Sequence, residues 1–287
     1  MPNHHDSLRA VLLVNAELGG MTPPAPDART VLWRWTGGRW VVLDSAGPPV
    51  RNLGGVAYDQ RRNRLVLYGG SYSLDRVYGD TWEWSPADGW VEHRVSGPGP
   101  RDHLQMAYDA GRGLVILVGG QASLDSFPAD VWGWNGVRWS RLGAGPAGGI
   151  IHGALAYDRT AGRVVLFGGQ SPGSRRALGE LLAWSGSEWV RASPMIQPRT
   201  HAALAWTPEG LILAGGLRRD DRNLRLEKGQ WRVLQKVGEP PARYLPGLAY
   251  DAGRGVTVLY GGGDPGSDRL LADTWEFTPA TGWREFR

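Results

Sequence analysis

A short apolar run ending in a pair of glycines recurs along the whole chain at nearly constant spacing, and no other feature limits the possible folds so strongly. The pairs stand at Gly69-Gly70 (RLVLYGG), Gly119-Gly120 (LVILVGG), Gly168-Gly169 (RVVLFGG), Gly215-Gly216 (LILAGG) and Gly261-Gly262 (VTVLYGG), with a degenerate copy at Gly19-Gly20. Successive pairs are 50, 50, 49, 47 and 46 residues apart. A period of that size implies one supersecondary unit copied and stacked, because a single unit cannot shield its own apolar faces.

Each unit carries further signals in a fixed order. Upstream of the pair lies GGVAYD, LQMAYD, GALAYD, AALAWT or PGLAYD, with alanine at 57, 107, 156, 205 and 249 and an aromatic residue next to it every time. Downstream come TWEW (81–84), VWGW (131–134), LLAW (181–184) and TWEF (274–277), with LWRW (32–35) in the first unit. A turn follows, then one more tryptophan: Trp40, Trp90, Trp139, Trp189, Trp231 and Trp283. With 43 Gly and 20 Pro in 287 residues, an all-helical chain is excluded. Four short runs per unit, bounded by Gly, Pro and Asp turns, predict four antiparallel strands joined as a meander. Apolar on both sides, such sheets need neighbours on both sides, and stacking around an axis supplies them.

These motifs together resemble those of the kelch-repeat β-propellers: the strand-ending double glycine, the aromatic about a dozen residues later, and the tryptophan opening the last strand. The match spans nearly the whole chain. Unit five departs from it, with Leu224 and Leu226 in place of the third-strand aromatics, and unit one is partial. The resemblance implies an all-β, six-bladed propeller with four-stranded antiparallel blades and an incomplete first blade, a single domain over 1–287. Approximate blade boundaries are 1–50, 51–100, 101–149, 150–198, 199–241 and 242–287. In unit one the second-strand run is Leu8 to Asn15, with little chain before it. Residues 1–7 pair irregularly, the natural chain is longer, or the ring has a thin blade; the last is preferred.

Kelch relatives tend to bind ligands where the loops entering the innermost strands meet the loops that follow the glycine pairs. Mapped here, those loops supply Arg51, Arg101, Arg199, Arg243, Tyr72, Arg76, Gln121, Gln170, Arg218 and Asp264 as ligand-binding candidates, with Asp75 and Asp268 on the same loops. Three of the six histidines, His103, His152 and His201, each lie five residues before the innermost-strand aromatic, so units three, four and five would bring them to one side of a channel mouth. With Asp102 they are the candidate catalytic groups, since imidazole titrates near neutral pH. The alternative is structural, a histidine holding the adjoining loop, and that is the reading preferred. Arginine two residues earlier also repeats, and bonding to neighbouring blade carbonyls is the preferred reading, although its fork also suits carboxylates and phosphates. The recurrent tryptophans and tyrosines read as core, and the Asp after each tyrosine as the cap of a turn.

Several chemistries are excluded or disfavoured. There is no cysteine, hence no disulfide, thiol nucleophile or Cys-ligated zinc. The copper-radical kelch oxidases need a cysteine cross-linked to tyrosine, and the Glu-Asp-His spacing associated with iron in plant specifier proteins is missing. No phosphate-binding loop, nucleophile elbow or HExxH motif occurs. No cofactor and no metal are expected. Net charge is +4, with 30 of the 32 basic residues arginine and no basic run, which argues against nucleic acid. Ala10 to Val14 is too short for a leader's apolar core and no stretch is long enough for a membrane span. A cytoplasmic monomer is expected.

Fold alone does not confer function. The first expectation is a binding module for a small anionic ligand or a protein partner at the channel mouth. The second is a cofactor-independent isomerase, cyclase or lyase using His and Asp as acid and base, as the resemblance to sialic-acid mutarotases among bacterial kelch proteins allows.

Overall fold

The computed structural model describes residues 12–15, 27–73, 76–234, 238–267 and 269–286. These residues form strands, turns and no α-helix, so none could cross a membrane as a helix. Gly19-Gly20, Asp75, Asp268 and residues 1–7 lie outside the described residues.

Units two to six each form a four-stranded antiparallel sheet in meander order. In unit two the strands are Gly55–Asp59, Arg64–Tyr68, Thr81–Ser85 and Gly89–His93. Unit three repeats them as Gln105–Asp109, Leu114–Val118, Asp130–Trp134 and Trp139–Ala144, and units four to six do likewise. The innermost strands of units two to six lie side by side in chain order. Unit one is different. Its Leu12–Asn15, Val31–Trp35 and Trp40–Asp44 form a three-stranded sheet matching the second, third and outer strands of the others. The expected six blades, the first incomplete, are therefore corrected to five four-stranded blades: the stretch that would precede Leu12 as an innermost strand is outside the described residues.

The second strands explain why the sheets must stack. Leu65, Val66, Leu67 and Tyr68 are all buried, as are Val115 to Val118 and Val164 to Phe167, so both faces of the sheet need cover. Tryptophans of one sheet provide it for the next. Trp134 and Trp139 pack across the seam towards unit two, and their indole N–H groups reach Glu83 (2.7 Å) and Thr81 (2.9 Å). Trp35 and Trp40 repeat that geometry on unit six, donating to Glu276 (2.6 Å) and Thr274 (2.9 Å). On its other side unit one receives Trp84, whose indole donates to Asp44 at 2.9 Å. The three-stranded sheet of unit one is thus flanked by units six and two.

The glycine pair is required by crowding. Gly70 has φ of +92°, and a Cβ there would lie 2.7 Å from the Asn52 carbonyl of the loop entering the innermost strand. This close approach lets that loop pair with the residue after the glycines, as in Asp102 with Gln121, where the two N–H···O bonds measure 2.9 and 2.8 Å. The turn aspartates cap as the sequence pattern requires: Asp59 accepts from the N–H groups of Arg61 and Arg62, and Asp251 from those of Gly253 and Arg254.

Candidate functional site

Five residues at the entry to the innermost strands share one unusual backbone state. Leu53, His103, His152, His201 and Leu245 have φ between +51° and +61°, a left-handed region costly for residues with a Cβ. Hydrogen bonds between successive units hold them there: His103 N–H to Leu53 (3.0 Å), His201 to His152 (2.9 Å) and Leu245 to His201 (2.7 Å). Backbone bonds therefore link unit two to unit three, and unit four through unit five to unit six, and bring the side chains to one side.

Three imidazoles consequently meet. The His152 and His201 rings stack with centroids 3.7 Å apart and planes 22° from parallel, while His103 stands edge-on to His152 at 4.5 Å. Tyr244 is edge-on to His201 at 6.3 Å. Face-to-face rings send their in-plane lone pairs in parallel directions, so His152 and His201 do not converge on one ion; among the described residues no group of three His, Asp or Glu could hold a metal.

Burial, and then the neighbouring imidazoles, push His152 down to about 3; burial and His103 push His201 down to about 4. Both rings are neutral at pH 7. His201 Nδ1 is buried and has no hydrogen-bond partner among the described residues. At the other end of the stack His103 Nδ1 lies 2.6 Å from Asp102 Oδ1, and Ser71 donates to Asp102 Oδ2 at 2.7 Å. Burial acts to raise the Asp102 pKa, but the His103 and Ser71 hydrogen bonds outweigh it and hold the carboxyl below its usual range.

The four repeat arginines are placed differently. Arg51, Arg101, Arg199 and Arg243 are only 2–5% exposed. Arg51, Arg101 and Arg243 each donate through Nη1 to the first glycine carbonyl of the pair, Gly69, Gly119 and Gly261, at 2.9–3.1 Å. Each also forks onto a carboxylate, Asp80, Asp130 or Asp273, which accepts a further bond from Trp82, Trp132 or Trp275. Arg199 has Arg222 where its carboxylate would stand, and bonds the Gly215 and Arg222 carbonyls, with Asp221 3.5 Å away. In unit four Ile150 fills the arginine's place, and Glu180 turns to pair with exposed Arg191.

The remaining candidates do not converge on one pocket. Gln121 lies beside Asp102 through backbone pairing, and the Gln170 side chain is tied to the Arg175 carbonyl at 2.8 Å. Arg76 lies over the Tyr72 ring at 5.9 Å, and exposed Arg218 pairs with Asp220 at 3.0 Å. Asp264 caps its own turn through Gly266 and Ser267, and with Arg219 and Arg269 lines a hollow of about 240 Å³. Ser71 joins the histidine cluster without having been singled out from the sequence, standing where other units place Gln121 and Gln170, and Tyr244, on the entering loop of unit six, joins it too.

Five four-stranded sheets and a three-stranded one around an axis, with loops gathered at the entry to the innermost strands, define a β-propeller. Among solved structures the chain resembles the structure of YjhT, with a TM-score of 0.69 and 13% identity over 90% of this chain and 91% of that one. At that identity the likeness shows the fold alone. No protein-family model matches the chain. No curated protein matches it either.

Proposed function

We propose that the chain is a binding module of the six-unit kelch-propeller kind, and that it takes a small anionic ligand at the mouth formed by His103, His152 and His201. The observation that carries this reading is the neutral imidazole stack with an unpartnered Nδ1 on His201, an unmet hydrogen bond that a ligand would complete. The favourable potential for an anion comes from exposed Arg76, Arg175, Arg176, Arg218 and Arg219 on the loops after the glycine pairs, since the four repeat arginines are buried and bonded to carbonyls or carboxylates inside. A panel of small carboxylates and phosphates, screened by thermal shift and followed by calorimetry, should yield a ligand whose affinity falls about three- to tenfold in His201→Phe, the loss of one hydrogen bond. Binding indifferent to His201→Phe and to ionic strength would remove this reading.

One observation favours a second reading. Asp102, itself held by Ser71, fixes the tautomer and orientation of His103, the arrangement a proton-transferring imidazole needs. On this reading the chain is a cofactor-independent isomerase, cyclase or lyase in which His103 exchanges the proton and Asp102 positions it. Asp102→Asn should then lower turnover of the bound ligand and alter its pH profile while leaving ligand affinity nearly constant. We place the protein in the cytoplasm as a monomer, which fractionation and sedimentation would check.

A further inference from the structure

The row of left-handed residues at the mouth ends differently on its two sides, although the same three positions of the repeat build both ends. Between units two and three they are Ser71, directly after the glycine pair, and Asp102 and His103 on the entering loop. Ser71 donates to Asp102, and Asp102 holds His103. Between units five and six the same positions carry Leu217, Tyr244 and Leu245. A polar set at one end is thus replaced by an apolar set at the other.

These apolar side chains are not spent on the core. Leu217 is 50% exposed and Leu245 44%, and Tyr244 is half-buried. They stand on loops described throughout, 217–223 and 241–247. Their backbone is tied to that of His201: Leu245 N–H bonds the His201 carbonyl at 2.7 Å, and Leu217 N–H the Thr200 carbonyl at 3.2 Å. Leu245 has φ of +51° against +61° for His201, so it continues the row of imidazoles. The Tyr244 ring lies over Gly263, where a Cβ would strike it, and stands edge-on to His201 at 6.3 Å. His201, with an Nδ1 that has no partner among the described residues, is therefore flanked by three apolar side chains. A lone exposed leucine carries no message, but apolar groups gathered around an unmet polar nitrogen are the make-up of a small-molecule site.

Charge gives the site a direction. Arg218 and Arg219 follow Leu217, and beyond the Arg218–Asp220 pair Arg219 bonds the Gly266 carbonyl of unit six at 3.0 Å. At the opposite end of the row Asp102, kept ionised by His103 and Ser71, repels a second carboxylate. An anion is drawn to the end where the leucines are.

Resting on the reading of this mouth as an anion site, we propose that its ligand is a carboxylate bearing a compact apolar group, aryl or branched alkyl, and not a polyhydroxylated acid. The apolar group lies against Leu217, Tyr244 and Leu245, and the carboxylate accepts from Nδ1–H of the neutral His201 ring. Hydroxyls placed against the leucines would lose their water partners without gaining others.

The probes are phenylacetate and gluconate, equal in charge, titrated into the full chain by calorimetry. Phenylacetate should bind about tenfold or more tightly than gluconate. Leu217→Gln, which places there the residue that units three and four carry, should weaken phenylacetate about three- to tenfold at an unchanged melting temperature. Gluconate binding as tightly as phenylacetate, or phenylacetate indifferent to Leu217→Gln, overturns the proposal; the comparison of the two acids needs only the unaltered chain. If the binding seen in that case still falls in His201→Phe, the anion site itself survives. Equal binding of uncharged 2-phenylethanol also overturns the proposal. Saturable binding of neither acid overturns it too and, where no other anion binds, takes the anion site with it.

Discussion

Arg101 and His103 lie two residues apart, and the structure treats them in opposite ways. Arg101 is 2% exposed, yet its guanidinium meets the Gly119 carbonyl and the Asp130 carboxylate, which is also bound by Trp132. The same set recurs around Arg51 and Arg243. The histidines two residues further on are half-buried and have no carboxylate fork of that kind: two stack as neutral rings, and Nδ1 of His201 has no partner among the described residues. A charge taken out of water persists where a carboxylate pairs with it, whereas a neutral imidazole needs no counter-charge. The arginine–carboxylate–indole set repeated in units two, three and six marks scaffold, and the imidazoles gathered from units three to five mark a place that can receive something.

Breaking the arginine–carboxylate–indole set should have the largest effect. Asp130→Ala leaves a buried guanidinium and an indole N–H without their acceptor, and urea denaturation should show a loss of about 3–5 kcal/mol. Acid should expose the other member of the comparison. His152 and His201 titrate near 6.5 when unfolded but only near 3 and 4 when folded, so the unfolded chain binds protons first. Stability is complete above pH 6.5 and declines as pH falls towards 4, by about 2 kcal/mol after allowing for solvent screening. The depressed carboxyls of Asp80, Asp102 and Asp273 add their own loss only below about pH 4. A His152→Phe, His201→Phe double variant should flatten the slope between pH 6.5 and 4 and leave the lower one.

Smaller effects sharpen the contrast. At pH 7 His201→Phe should cost less than about 1 kcal/mol, since the ring stack is kept and no satisfied bond is lost. Glu180→Ala should change stability by less than about 0.5 kcal/mol, because unit four has Ile150 in place of the buried arginine and Glu180 pairs only at the surface.

The stacking of the units was legible because both causes are local: glycine at a crowded strand end, and tryptophan at fixed offsets from it. The closure was legible only in part. Trp35 and Trp40 announce that unit one faces unit six, but nothing in the repeat says how a unit without a recognisable first strand completes the ring. The arginines read first as bonded to blade carbonyls, which they are, and second as ligand forks; their carboxylate partners also stood in the sequence. Units two, three and six carry arginine together with Asp-x-Trp at 80–82, 130–132 and 273–275, while unit four lacks the arginine and has Glu180 and Leu182. Presence and loss together point to an internal bond. The contact between rings could not be read, because it depends on the left-handed backbone of three loops at once.

The most direct test is a ¹⁵N NMR titration of the imidazoles of the intact protein. His152 and His201 should stay neutral from pH 7 to about 5 and begin to protonate only near the onset of acid unfolding. Ordinary titration of both near pH 6.5, with the protein still folded, would show the rings to be solvated and apart, and would contradict the buried stack on which the account of the mouth rests.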